Sequence, residues 1–287
     1  MHKVQVSLLR GVCQTPAYVA HEKGYLRDEG IEARLDVAAT AWLVPQKLMG
    51  GESQFAVIPW TRVAAAEANE LPLVLLAGSG CEEVAIVIRK GLDPSAVRRV
   101  AVPVRGGMKD LTAMGLIETL GWQDAELIRM PSGDGAILAF VGQGVDAASM
   151  VEPYATMLEE LGMGQVIRRT GDVWKGAPGC SLTTTRGYSR EAPEVVQGFV
   201  GAFARGAEFV RQEPAEAARI AADYIGVHPR FILKALQQNQ PSVDAIRNVE
   251  AMRGVMTLMQ KLGYVDRRPE NFTDLSFLDA VQARVTP

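Results

Sequence analysis

The stretch GGESQFAVIPW at residues 50–60 has an echo, in altered letters, in GQGVDAASMVEPY at residues 142–154. Aligned without gaps, Leu48 to Trp60 lie over Phe140 to Glu152, so Gly50 falls on Gly142 and Gln54 on Asp146. Each copy contains an apolar run, a Gly, a short polar step, a buried strand and a turn. A piece rewritten after about ninety residues implies two similar units, each with its own core.

The rest of the chain follows that division. VQVSLL alternates with period two and ends at Gly11; PAYVAHEKGYLRDEG places Pro16 in a first helical turn and Gly30 at its end. IEARLDV, QFAVI and PLVLLAG read as strands, with helices over AWLVPQKLMGG and RVAAAEANE between them. EEVAIVIRK adds a strand, and the pattern then restarts with RRVAVPV, MKDLTAMGLIETLG, AELIRM, GAILAFVGQG, DAASM and PYATMLEELG. Short apolar strands alternating with helices predict parallel pairing, with helices covering both faces. After the strand SLTTT the chain turns helical, with apolar residues at three- and four-residue steps such as Val195, Val196, Phe199 and Phe203. No Ser-, Gly- or Pro-rich linker frees this tail, so it is expected to pack on the α/β units.

Bulk properties exclude several function classes. The net charge is −3 over 287 residues with scattered Lys and Arg, so no nucleic-acid partner or anionic membrane surface is expected. No apolar run is long enough to span a bilayer. MHKVQVSLLRGV reads as a strand and lacks the features of a signal peptide, leaving two readings: a cytoplasmic protein, or a periplasmic or extracytoplasmic one whose signal was removed. Cys13, Cys81 and Cys180 are far apart with no CxxC spacing, so neither a disulfide scaffold nor a structural zinc site is expected. His2, His21 and His228 do not cluster, and HExxH, GxSxG and P-loop patterns are missing. No cofactor is expected.

Ligand sites in open α/β sheets lie at the carboxyl ends of the strands. The loops there are RGVCQTP, AATAW and IPWT in the first unit and VRGGMKD, PSGDG and MVEPY in the second, with GSGC where the chain passes between them. Gly106 and Gly107 precede a helix whose free amides can hold an anion, with Arg105 adding a full charge; equally, a helix start needs two flexible residues. Trp42 and Trp60 each follow a first-unit strand and offer either a stacking wall or a cap on the core. Glu152 either accepts from a ligand amine, helped by Tyr154, or accepts the free amides of its own helix. Cys13, directly before a helix, is either a nucleophile with a lowered pKa or an inert apolar residue.

The segments PAYVAHEKGYLRDEGIEARLDV, KLMGGESQFAVI, LAFVGQGVDAASMVEPYATMLEELG and REAPEVVQGFVGAFARGAEFV resemble the substrate-binding proteins of ABC importers in the sulfonate, taurine, nitrate and thiamine-precursor group, known as NMT1/THI5-like. The resemblance runs from about residue 4 to 265. It implies a type II periplasmic-binding-protein fold: two α/β lobes, a central cleft and a helical C-terminal tail. Residues 1–82 with 186–287 would form lobe one and its tail, and 83–185 lobe two with both crossing strands. It further implies a monomer that captures a small molecule between the lobes and delivers it to an ABC permease. By position, the ligand-facing residues would be Cys13, Gln14, Thr40, Trp42, Trp60, Gly80, Arg105, Gly106, Gly107, Met108 and Glu152.

The chain departs from the group's pattern at Gln54, where relatives tend to carry Asp, and at RGGM, where sulfonate and nitrate binders carry a hydroxyl-rich turn. Trp42, Trp60 and Glu152 suggest a flat, nitrogen-bearing ligand such as a pyrimidine; a small sulfonate or carboxylate is the other class. Two enzymes share the implied fold: a sulfinate desulfinase whose nucleophilic Cys has its counterpart in Cys13, and a pyrimidine synthase whose Cys-rich motif is missing here. A soluble ligand sensor is the third alternative.

Overall fold

The computed structural model describes residues 1–105, 108–130 and 133–285, with the side chains of residues 109, 133, 134 and 285 left out of the description. The first sheet comprises β1 (His2–Leu8), β2 (Ile31–Val37), β3 (Phe55–Pro59) and β4 (Leu73–Gly78). The second comprises β5 (Val84–Arg89), β6 (Arg99–Pro103), β7 (Glu126–Met130), β8 (Ala147–Val151) and β9 (Gly164–Arg169), and β10 (Cys180–Thr185) returns to the first. Helices α1 (Thr15–Glu22), α2 (Tyr25–Asp28), α3 (Val44–Met49) and α4 (Trp60–Ala68) connect the first set, and α5 (Met108–Leu120), α6 (Gly133–Val141) and α7 (Tyr154–Glu160) the second.

The strand orders are β2-β1-β3-β10-β4 and β7-β6-β8-β5-β9. They are one topology used twice, with β1, β2, β3 and β4 corresponding to β6, β7, β8 and β9. The sequence echo is α3–β3 repeated as α6–β8, which puts Phe55 over Ala147 and Trp60 over Glu152. Gln54 and Asp146 also do the same work just before these strands. The Gln54 Oε1 accepts the Gln5 amide of β1 at 2.8 Å, and the Asp146 Oδ2 accepts the Arg98 and Arg99 amides at the start of β6 at 3.0 and 2.8 Å. A neutral amide thus replaces the expected carboxylate, and its Nε2 also donates to the Gly51 carbonyl at 3.0 Å.

Three expectations are corrected. Pairing is mixed, because each sheet contains a strand contributed by a passage between the lobes: β10 runs antiparallel to β3 and β4, and β5 antiparallel to β8 and β9. Consequently β10, grouped with the second unit in the expected division, is hydrogen-bonded within the first sheet. Strand β9 was not foreseen: GQVIRR is a polar edge strand whose alternation is too weak to read.

The tail consists of α8 (Arg186–Glu191), α9 (Pro193–Gln212), α10 (Pro214–Ile225), α11 (Pro229–Gln238), α12 (Val249–Lys261) and α13 (Ser276–Val285). Helix α12 begins at Val249, where Asn248 caps it by accepting the Ala251 amide at 3.1 Å. Helix α9 buries Val195, Val196, Phe199 and Phe203, and Phe199 stacks on Phe55 of β3 with ring centroids 4.0 Å apart.

The tail also reaches lobe two. Lys234 pairs with Glu160 of α7, Arg169 of β9 donates to Gln238 at 2.8 Å, and Lys261 pairs with Glu118 of α5 at 2.8 Å. Two of the three apolar clusters contain residues of both lobes: one joins Val12 and Cys13 to Met150 and Tyr154, the other Ile58 and Trp60 to Val84, Met108 and Leu111. The lobes therefore meet through apolar surface removed from water, the largest favourable term in such a contact. Among the described residues no helix is long and apolar enough to cross a membrane.

Candidate functional site

The carboxyl ends of β1, β3 and β8 lead into the first turns of α1, α4 and α7 at the junction of the lobes. Two main-chain bonds fix this junction. The Val12 amide donates to the Glu152 carbonyl at 3.1 Å, and the Glu152 amide to the Glu83 carbonyl at 3.1 Å.

Cys13 and Gln14 lie in the single 3-10 turn after β1, both buried. The Gln14 Oε1 accepts the Leu9 amide at 3.2 Å, its Nε2 donates to the Cys13 Sγ at 3.2 Å, and the Ser79 hydroxyl donates to the Cys13 carbonyl. Burial pushes the Cys13 thiol above its ordinary value, and the nearby Glu83 carboxylate adds to that. A thiol held protonated is a poor nucleophile, which removes the chemical basis for a reactive Cys13.

Trp60 opens α4 and is fully buried, its ring stacked on Phe272 of the tail with centroids 6.0 Å apart. Trp42, in the turn capped by Thr40, is 47% exposed, so the two indoles stand in different environments. Gly80 is buried, with its amide donating to the Cys180 carbonyl at 3.0 Å. The Arg105 guanidinium lies 4.7 Å over the Tyr264 ring and donates to the Leu262 carbonyl, so it docks on the tail. Met108, at the start of α5, is buried in the cluster that holds Trp60. Gly106 and Gly107 lie outside the described residues, as does part of the PSGDG loop.

Glu152 is buried and occupied. Its Oε1 pairs with the Arg169 Nη1 at 2.6 Å and its Oε2 accepts the Thr156 amide at 3.0 Å in the first turn of α7. Its carboxylate is thereby committed to the fold at both oxygens.

Several polar groups at the junction stand without partners, and of their residues only Trp60 was singled out from the sequence. Thr15 Oγ1, Trp60 Nε1, Thr61 Oγ1, Arg62 Nε, Thr156 Oγ1 and Ser181 Oγ are all buried atoms with no hydrogen-bond partner among the described residues. Five belong to the first turns of α1, α4 and α7, and Ser181 to β10. An unpaired buried polar group costs about 1–3 kcal/mol, so these atoms are candidate contacts for a guest. Arg62 is half-buried; burial lowers its pKa, offset by Asp110 of lobe two, and a guanidinium remains charged there. The signal for Thr61 and Arg62 was their adjacency to Trp60 in IPWTR.

Comparison with known proteins matches this architecture. The chain is similar to the ligand-binding component of an ABC-type import system from Staphylococcus aureus, solved with zinc bound (TM-score 0.85, 14% identity, 98% of this chain and 99% of that one). It is similar to the periplasmic nitrate-binding protein NrtA from Synechocystis (TM-score 0.82, 13% identity, 100% and 89%). It also resembles the periplasmic aliphatic sulphonate binding protein SsuA from Escherichia coli (TM-score 0.76, 15% identity, 94% and 95%). At these identities the likeness establishes the periplasmic-binding-protein fold. Curated proteins give no match. Residues 1–226 match the NMT1-like family, covering both lobes and the first tail helices. The chain belongs to the NMT1-like family.

Proposed function

We propose that this protein is a solute-binding protein that captures a small organic anion between its lobes and delivers it to an ABC importer. The observation that carries the reading is the pair of unpartnered donors at the start of α4, Trp60 Nε1 and Arg62 Nε, which can only donate. A guest that satisfies them must accept hydrogen bonds, as a sulfonate or carboxylate does. The buried Arg62 charge favours a negative partner, and the engaged Glu152 removes the acceptor that an aminopyrimidine would need.

Contacts from both lobes bias the protein towards its closed form when the guest is present. The similarity to sulfonate- and nitrate-binding proteins supports the same class of ligand and an extracytoplasmic place of work. The protein acts as a monomer and does no chemistry on its cargo. Calorimetric titration with short alkanesulfonates, short carboxylates and an aminopyrimidine tests the reading. Saturable binding of an anion is expected; binding of the aminopyrimidine alone, or of none of the three, overturns it. Loss of uptake of that anion on deletion of the chain tests delivery.

A further inference from the structure

Behind the solute junction, three segments far apart in sequence converge on one buried point. The Cys13 Sγ, a Glu83 carboxylate oxygen and the Cys180 Sγ all lie within 4.8 Å of one another, and all three residues are buried. Cys13 comes from the first loop of lobe one, Glu83 from the residue before β5, and Cys180 from the first residue of β10. The point therefore sits at both passages between the lobes.

The backbone is shaped around the carboxylate. A Cβ on Gly80 would stand 1.9 Å from the Glu83 Oε2, and one on Gly179 would stand 2.3 Å from its Cδ, so only glycine fits on either side. Gly80 and Gly179 are joined by an amide-to-carbonyl bond of 2.8 Å, and the Cys180 amide orients the Glu83 Oε1 at 3.0 Å. The Gln14 Nε2 donates to the Cys13 Sγ at 3.2 Å, a bond that strengthens when the sulfur becomes a thiolate. Two sulfurs and one oxygen are thus held in fixed positions by neighbours that leave no room for anything bulkier.

We propose that Cys13, Glu83 and Cys180 form a binding site for a thiophilic divalent cation of the zinc type. Two thiolates and a carboxylate are ligands that Zn²⁺ accepts, with Zn–S near 2.3 Å and Zn–O about 2.0–2.2 Å. In a tetrahedral site ligand atoms stand roughly 3.3–3.8 Å apart, so the observed cluster needs only a small contraction. On binding, each thiol releases its proton to solvent and its sulfur lone pair forms the metal bond, while the carboxylate contributes an oxygen without proton loss; no redox change occurs. Three anionic ligands around a dication leave a net charge of minus one. Because its ligands come from the first loop and both passages, the cation ties the lobes at their pivot. The site is independent of the solute reading above.

The test uses the reduced, metal-free full chain and Co²⁺ alone. A thiolate-to-cobalt charge-transfer band saturating at one equivalent is expected, bleached by an equivalent of Zn²⁺. C13S and C180S should each abolish or strongly shift it, and E83Q should weaken Co²⁺ binding at least tenfold. Since a buried variant can fail to fold, a second measurement uses the unaltered chain: Zn²⁺ should slow alkylation of Cys13 and Cys180 together, read by peptide mapping, while that of the half-buried Cys81 is unchanged. No charge-transfer band, a band that persists in folded C13S and C180S, or equal slowing at Cys81 overturns the proposal.

Discussion

The main-chain amide of Val12, in lobe one, donates to the carbonyl of Glu152, in lobe two, at 3.1 Å. The bond is a main-chain tie between the turn that precedes α1 and the loop that precedes α7, and it breaks only if the lobes part at that point. Exchange of the Val12 amide therefore reports lobe opening. Adding the tightest-binding sulfonate or carboxylate at a hundred times its Kd should slow that exchange roughly a hundredfold, since a guest held by the closed form lowers the open population by the factor 1 + [L]/Kd. Unchanged exchange at Val12, measured by mass spectrometry or NMR, would show that the guest does not draw on lobe closure.

Trp60 serves the core, and under the proposed function its Nε1 also serves the guest. Its ring is fully buried on Phe272, so Trp60→Ala would open a cavity costing about 3–5 kcal/mol and confuse binding with folding. Trp60→Phe keeps most of the packing and deletes the Nε1 donor. The expected result is a loss of about tenfold in affinity, the worth of one hydrogen bond of about 1–1.5 kcal/mol, with a melting temperature close to that of the original chain. Calorimetry and a thermal melt together separate the two effects.

Arg62 supplies the cationic group among the unpartnered atoms in the first turns of α1, α4 and α7. Arg62→Gln retains hydrogen-bonding capacity and removes the charge, so anion affinity should fall by about tenfold to a hundredfold, the value of a charge-assisted bond of about 1.5–3 kcal/mol. An aminopyrimidine, should it bind at all, should be little affected. Parallel titrations of both probes give the comparison.

Much of this fold is legible in the sequence because helix and strand periods alternate cleanly and the α3–β3 piece recurs as α6–β8. Residues with strong local signatures read true: Gly30 ends a turn with positive φ, and Val195, Val196, Phe199 and Phe203 form the buried face of α9. What could not be read is what depends on approach in space. The reversed direction of β10 follows from its return from the other lobe, and the polar edge strand β9 gains its identity only from pairing with β5. At the site, Trp60 and Glu152 stood out as chemical residues, whereas Ser181 and Thr156 are ordinary residues made significant by burial without partners. Cys13 and Cys180 show no metal spacing because their proximity is created by the sheet.

Asp146 offers a measure of how firmly lobe two is tied at the echo. Burial alone would raise its pKa, but the Arg98 and Arg99 amides and the Arg89 guanidinium hold it below the ordinary carboxylate value. A carboxyl depressed in the folded state contributes stability that is present above the unfolded pKa of about 3.9 and is lost as pH falls through the folded value. Asp146→Asn should cost about 2 kcal/mol at neutral pH, the scale of hydrogen bonds to a charged acceptor. The difference from the original chain should shrink in acid, as urea midpoints across pH will show.

The buried thiols impose the opposite dependence on the metal-free protein. Hydrogen bonding to Cys13 and burial raise the Cys180 thiol well above its usual value, and burial raises that of Cys13. When the folded pKa exceeds the unfolded one, the folded state holds the proton longer. The associated stability is complete below the unfolded thiol value of about 8.5 and is lost as pH rises through the folded values. The metal-free chain should therefore lose stability on the alkaline side of that value, and Cys180→Ala should lose less, because it removes the group with the stronger shift. Urea unfolding from neutral into alkaline pH checks this. Equal slopes for the two chains would mean that the thiols ionise as readily in the fold as outside it.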